Sequence, residues 1–105
     1  MRAAKPGEVW MVDLGMTAKV RPCLVLTRPP ADNELDVFTV IAHTTSRRGN
    51  RWEVPFHKFF LDQDGAFDVQ RVATVASVKL ERKLGELTRA EFDAVLDRLA
   101  ERLGL

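Results

Sequence analysis

Between Glu8 and Leu14 the side chains alternate, with Trp10, Val12 and Leu14 on one side and Val9, Met11 and Asp13 on the other, the period-two pattern of a strand. The stretch Val20–Thr27, VRPCLVLT, closes on a continuous apolar run and predicts a buried strand. Only Gly15–Lys19 separates the two, so an antiparallel hairpin is expected, with Asp13 and Arg21 near the same end. Arg28–Asp36 holds two prolines and Asp32-Asn33 and reads as a surface loop. A third strand runs from Val37 to about Thr45, with Ile41, His43 and Thr45 on one face and Val40, Ala42 and Thr44 on the other. Gly49-Asn50 turns the chain into a short strand at Trp52–Val54. Phe56–Gly65 has no clean period and fits a single helical turn plugging one end of a barrel. Val69–Ser77, rich in β-branched residues, reads as the last long strand, and Lys79–Gly85 fits either a helical turn or a short edge strand.

The final segment predicts a helix. Thr88 with Glu91 three positions on forms a capping box, Phe92, Val95, Leu96, Leu99 and Leu103 share one face, and Gly104 ends the pattern. Short strands followed by one helix define a small α+β fold, mainly β, with an open sheet curled toward a barrel and the helix packed on it. At 105 residues and 46% apolar composition, residues 1–105 make one domain. Sixteen Lys and Arg against fifteen Asp and Glu leave a net charge of +1, so any polyanion site must be local rather than global. The lone Cys23 falls within the apolar run and reads as a buried small hydrophobe in a reducing compartment. The N-terminus has no apolar core of a signal peptide, and no run approaches the ~20 residues that span a bilayer, so a soluble, cytoplasmic protein without a membrane partner is expected.

His43 and His57 stand far apart, with no metal-ligand spacing, no glycine-rich phosphate loop and no nucleophile elbow, so neither metal nor cofactor is expected. What remains is a set of cations and hydroxyls. Arg21 is held extended by Pro22 at the mouth of the second strand, and His43, Thr44, Thr45, Ser46, Arg47 and Arg48 gather at the end of the third. If those strands are neighbours, the two ends converge in a group suited to a phosphodiester, whose transition-state charge a guanidinium matches with parallel hydrogen bonds. The Ser46–Arg51 segment itself reads equally as a solvated hairpin tip or as a phosphate-binding loop.

The opening GEVWMVDLG, followed by KVRPCLVLT, resembles the N-terminal signature of MazF/PemK-type toxins, small sequence-selective endoribonucleases of type II toxin–antitoxin pairs. The similarity runs on through VIAHTTS, VATVASVKL and LGELT into the terminal helix. The resemblance implies an SH3-like or CcdB-like barrel of five to seven antiparallel strands with a C-terminal helix. It also implies a homodimer, a single-stranded RNA substrate, and a cognate antitoxin whose disordered tail occupies the RNA groove. In the family the arginine before the proline and the threonine ending the third strand act in cleavage; here these match Arg21 and Thr45, with Thr44 one position away. Thr44, Ser46, Arg47, Arg48 and His43 would then contact the substrate, with Arg51 near them. A guanidinium is an awkward general base, so Arg21 is assigned to charge stabilisation first, with the group that transfers the proton left open. Many relatives carry a longer first loop with an acidic residue and extra glycines, whereas Gly15–Lys19 is short and has no acid, a departure that bears on which RNA sequence is read. Two rival readings share the fold: a gyrase-poisoning toxin that acts by binding, in which the terminal helix would matter most, and a catalytically degenerate barrel that only binds.

Overall fold

A computed structural model describes residues 3–15 and 19–105. Six strands, β1 (Glu8–Asp13), β2 (Val20–Val25), β3 (Val37–Thr44), β4 (Glu53–Val54), β5 (Ala66–Ala76) and β6 (Leu80–Glu86), precede one helix, α1 (Arg89–Leu103). The strands form one antiparallel sheet in the order β4-β5-β3-β2-β1-β6, giving the mainly-β α+β fold that the pattern predicts. The β1–β2 hairpin pairs Asp13 with Val20 and Val12 with Arg21, which sets Asp13 and Arg21 at one end as expected. The short, acid-free connection lies, over residues 16–18, outside the described residues.

Several boundaries differ from those the sequence predicts. β2 ends at Val25; beyond it Leu26 N still donates to Thr39 O, but Thr39 N then donates to the Thr27 side-chain Oγ1 rather than to a backbone carbonyl, so the regular ladder stops. β5 starts at Ala66, three residues earlier than predicted, since Ala66 and Phe67 pair with β3 while Phe67 and Asp68 pair with β4. The segment from Lys79 to Gly85 resolves into a 3-10 turn at Ser77–Lys79 followed by an edge strand. Phe56–Gly65 forms no helical turn; it makes two reverse turns, closed by Leu61 N to Lys58 O and Gly65 N to Asp62 O. Its Phe56, Phe60 and Leu61 still pack into the core.

Strand periodicity gives the sheet two covered faces. On one, Val9, Leu24, Ile41, Phe67 and Val69 meet Phe92 and Val95 of α1. On the other, Val12, Cys23, Val25, Phe38, Val40, Ala42 and Leu80 pack together, flanked by Trp10, Leu14, Ala73 and Val75. Each fully buried Val, Leu or Phe contributes about 1.5–3 kcal/mol, so the two clusters fix which face every other residue on these strands occupies. The capping box at Thr88 and Glu91 is formed and Gly104 closes the helix in the left-handed conformation. Leu103 departs from the expected stripe: Phe92, Val95, Leu96 and Leu99 meet the core, but Leu103 in the last turn is 63% exposed. Among the described residues no helix is long and apolar enough to cross a membrane.

Candidate active site

β2 and β3 are sheet neighbours, with Cys23 opposite Ala42. Arg21 lies two residues before Cys23 and Thr44 two residues after Ala42, so in this antiparallel pair both fall at the same end and on the same face. The convergence that the sequence made conditional is therefore met. Next to it opens a groove of about 570 Å³ lined by Leu14, Arg21, Ala42, Arg71, Ala73 and Val75, among others. Its lining includes the small residues Ala42 and Ala73, and its cations come from different strands, β2 and β5. Cys23 is buried just behind Arg21, and burial pushes its thiol up to about 12, with Arg21 opposing only weakly, so it remains an inert hydrophobe.

Thr44 is the last residue of β3 and buried; its Oγ1 accepts from Ser46 N at 3.1 Å, which turns the chain sharply out of the sheet. Thr45, Ser46, Arg47 and Arg48 follow as an exposed loop. A carboxylate that the sequence reading missed organises that loop. Glu53, only 5% exposed on the two-residue strand β4, accepts from Arg48 N at 2.8 Å, Gly49 N at 2.9 Å and Arg47 Nε at 3.4 Å. The Arg48 N–H, then those of Gly49 and Arg47, hold the Glu53 carboxyl below its ordinary range despite its burial. The signal was readable: an acid inside a short apolar strand directly after three arginines. Arg51 is directed elsewhere, lying over the Trp52 ring at 4.3 Å and pairing with Glu101 of α1 at 3.1 Å, so it belongs to the helix contact rather than to the loop.

His43 lies apart from this group. Alternation turns it to the opposite side of β3 from Ala42 and Thr44, where it is buried edge-on to Phe67 with ring centroids 5.0 Å apart. It is not placed to touch a substrate lying over Arg21. Burial holds its imidazole below the ordinary histidine range, with Asp62 opposing, so the ring is neutral. Its Nε2 is buried and has no hydrogen-bond partner among the described residues. Gly65 makes room for the ring: a Cβ there would stand 2.1 Å from His43 Cε1 and 2.9 Å from both ring nitrogens. Gly65→Ala is expected to destabilise the fold by about 1–3 kcal/mol through overpacking, and the double variant with His43→Ala should show strong favourable coupling in urea denaturation. Additive losses would mean the two residues do not oppose each other. Because the unfolded chain binds the His43 proton more readily, stability should also decline as pH falls below about 6.5.

Among the described residues no three His, Cys, Asp or Glu side chains group closely enough to hold a metal ion. A family model described as PemK-like, MazF-like toxin of type II toxin–antitoxin systems matches residues 5–103. The chain belongs to that family. An endoribonuclease from a mycobacterial species superposes with a TM-score of 0.79 at 25% identity, covering 100% of this chain and 95% of the other. An endoribonuclease in complex with its cognate antitoxin, also mycobacterial, gives 0.81 at 26% identity and 98% and 97% coverage. The Mycobacterium tuberculosis toxin MazF-mt6 gives 0.79 at 27% identity and 93% and 97% coverage. No curated protein matches the sequence.

Proposed function

We propose that this toxin-family chain is a sequence-selective endoribonuclease that cuts single-stranded RNA, with the 2′-hydroxyl beside the scissile phosphate as nucleophile and no metal ion. The observation that carries this reading is the meeting of Arg21 with the threonine end of β3 beside a cation-lined groove. In the reaction the 2′-hydroxyl gives up its proton to solvent as its oxygen bonds to phosphorus, the 5′-oxygen leaves with the bonding electron pair and takes up a proton, and a 2′,3′-cyclic phosphate remains. The phosphate gains negative charge along this path, and the Arg21 guanidinium, fixed on a strand rather than a loop, is placed to stabilise it. Thr45, exposed just beyond β3, supplies a hydroxyl donor, while the buried Thr44 shapes the turn that presents it. Ser46, Arg47 and Arg48 bind the flanking backbone, with Glu53 holding their loop in one conformation.

The working unit is a homodimer. Leu35, Phe59 and Val78 are large apolar side chains each more than 70% exposed in the single chain. The purified protein should sediment at about twice 11.9 kDa and should fragment a long single-stranded RNA in the presence of EDTA while leaving single-stranded DNA intact. Growth inhibition without any RNA cleavage would favour the gyrase-type reading, and a monomer in sedimentation would remove the dimer.

A further inference from the structure

The groove beside Arg21 holds a second guanidinium, that of Arg71, which neither the sequence pattern nor the reaction above uses. Arg71 stands inside β5, a long strand otherwise built of small and β-branched residues on this side, and how it reaches the groove can be read from the pairing. Ile41 of β3 is opposite Val72, but His43 is opposite Phe67, so the single residue Ala42 faces the four residues Asp68–Arg71. Such a bulge bends the strand and re-aims side chains. Here it is pinned. Asp68 is 5% exposed; its Oδ1 accepts from Gln70 N at 2.9 Å and its Oδ2 lies 3.4 Å from Arg71 Nε, while Val69 N donates to Trp52 O at 3.0 Å.

The ion pair to Asp68 engages Arg71 through Nε, the atom nearest the backbone. Arginine carries its remaining donors on two terminal nitrogens, the pair that matches phosphate oxygens. Two guanidinium groups on one concave surface repel each other, an arrangement that becomes favourable when an anion with repeated charges lies between them. The alanines of the lining, Ala42 and Ala73, leave space for the sugar and base that connect two phosphates.

We propose that Arg71 is a second phosphate-binding residue of the RNA groove, gripping a phosphate adjacent to the one cut over Arg21. This rests on the reading that the groove takes RNA. It makes the β5 bulge a positioning device for substrate rather than an accident of strand pairing.

The test is equilibrium binding of a mixed-sequence, fully 2′-O-methylated RNA oligonucleotide, which presents the phosphates without a nucleophile, at several salt concentrations. For Arg71→Gln, binding at low salt should weaken roughly ten-fold or more, and the slope of log affinity against log salt should become shallower by about 0.7, the value of one phosphate contact to a single strand. On cleavable RNA the same variant should raise KM with little change in kcat. Asp68→Asn separates a phosphate contact from a merely structural ion pair: its Oδ1 still accepts from Gln70 N and holds the bulge, while loss of the charge frees the cation, so RNA binding should be kept or tightened. An Arg71→Gln slope equal to that of the unaltered chain, or equal weakening by both variants, would overturn the proposal while leaving RNA cleavage standing. Failure of the unaltered chain to cut RNA would remove the parent reading and this one together.

Discussion

An RNA carrying a single 2′-deoxy nucleotide at the cut position, mapped beforehand from the fragments of unmodified RNA, is expected to resist cleavage almost completely. The reason lies in where the nucleophile comes from. Among the described residues no Cys–His or Ser–His pair lines the groove, Cys23 is buried with its thiol raised to about 12, and His43 is turned to the other face of β3. In the proposed reaction the 2′-hydroxyl supplies the attack, already tethered beside its phosphate, and an intramolecular nucleophile can be worth an effective concentration on the order of 10⁵ M or more. Replacing it by hydrogen leaves only water. The upstream fragment of the normal reaction should end in a 2′,3′-cyclic phosphate and the downstream fragment should begin with a 5′-hydroxyl, both visible by mass spectrometry. Cutting at the deoxy position at an undiminished rate would show that the protein or a bound ion provides the nucleophile.

Arg21→Ala should lower kcat by roughly 10²–10³, the usual consequence of removing one preorganised donor aimed at developing charge. Its fold should survive. Arg21 is half-buried at the start of β2, outside both apolar clusters, so its loss opens no core cavity of the kind that costs about 2–5 kcal/mol. Thr45→Ala is expected to reduce activity strongly as well, whereas Thr44→Ala should act through the Ser46 turn and be partly rescued by Thr44→Ser, which keeps the acceptor oxygen. An inactive Thr44→Ala that serine does not rescue, beside a fully active Thr45→Ala, would move the hydroxyl donor to Thr44. Retained melting temperature in each variant, checked by circular dichroism, ties the losses to chemistry.

Much of this was legible in the residues because strand and helix periods are local properties. β1, β2 and β3, the α1 capping box and the meeting of Arg21 with the end of β3 all follow from patterns within a few residues plus one pairing. The structure departs from the pattern where tertiary partners decide. His43 alternates onto the wrong face for a substrate contact, a fact readable from its neighbours once the buried faces are known. Glu53 looked like one polar residue in a two-residue strand, yet its role depends on backbone N–H groups four and five positions earlier. Arg71 could not be placed from sequence, because the bulge that aims it exists only in the mismatch between two strands far apart in the chain.

One pairing bears on how the protein comes into being. β1 finds its second neighbour in β6, with Glu8 opposite Glu86, and Leu87 N then donates to Gly7 O. A contact across so much of the sequence must wait for the loop between its partners to close, and folds dominated by such contacts form slowly. On the ribosome, residues 8–13 emerge long before residues 80–86, and α1 has no finished surface to dock on until β5 is out. The first five strands can associate in part, but one edge of β1 remains exposed until residues 80–86 have been made. A fold built this way closes its sheet only after residues 80–86 have been made, so the order of synthesis delays the native state.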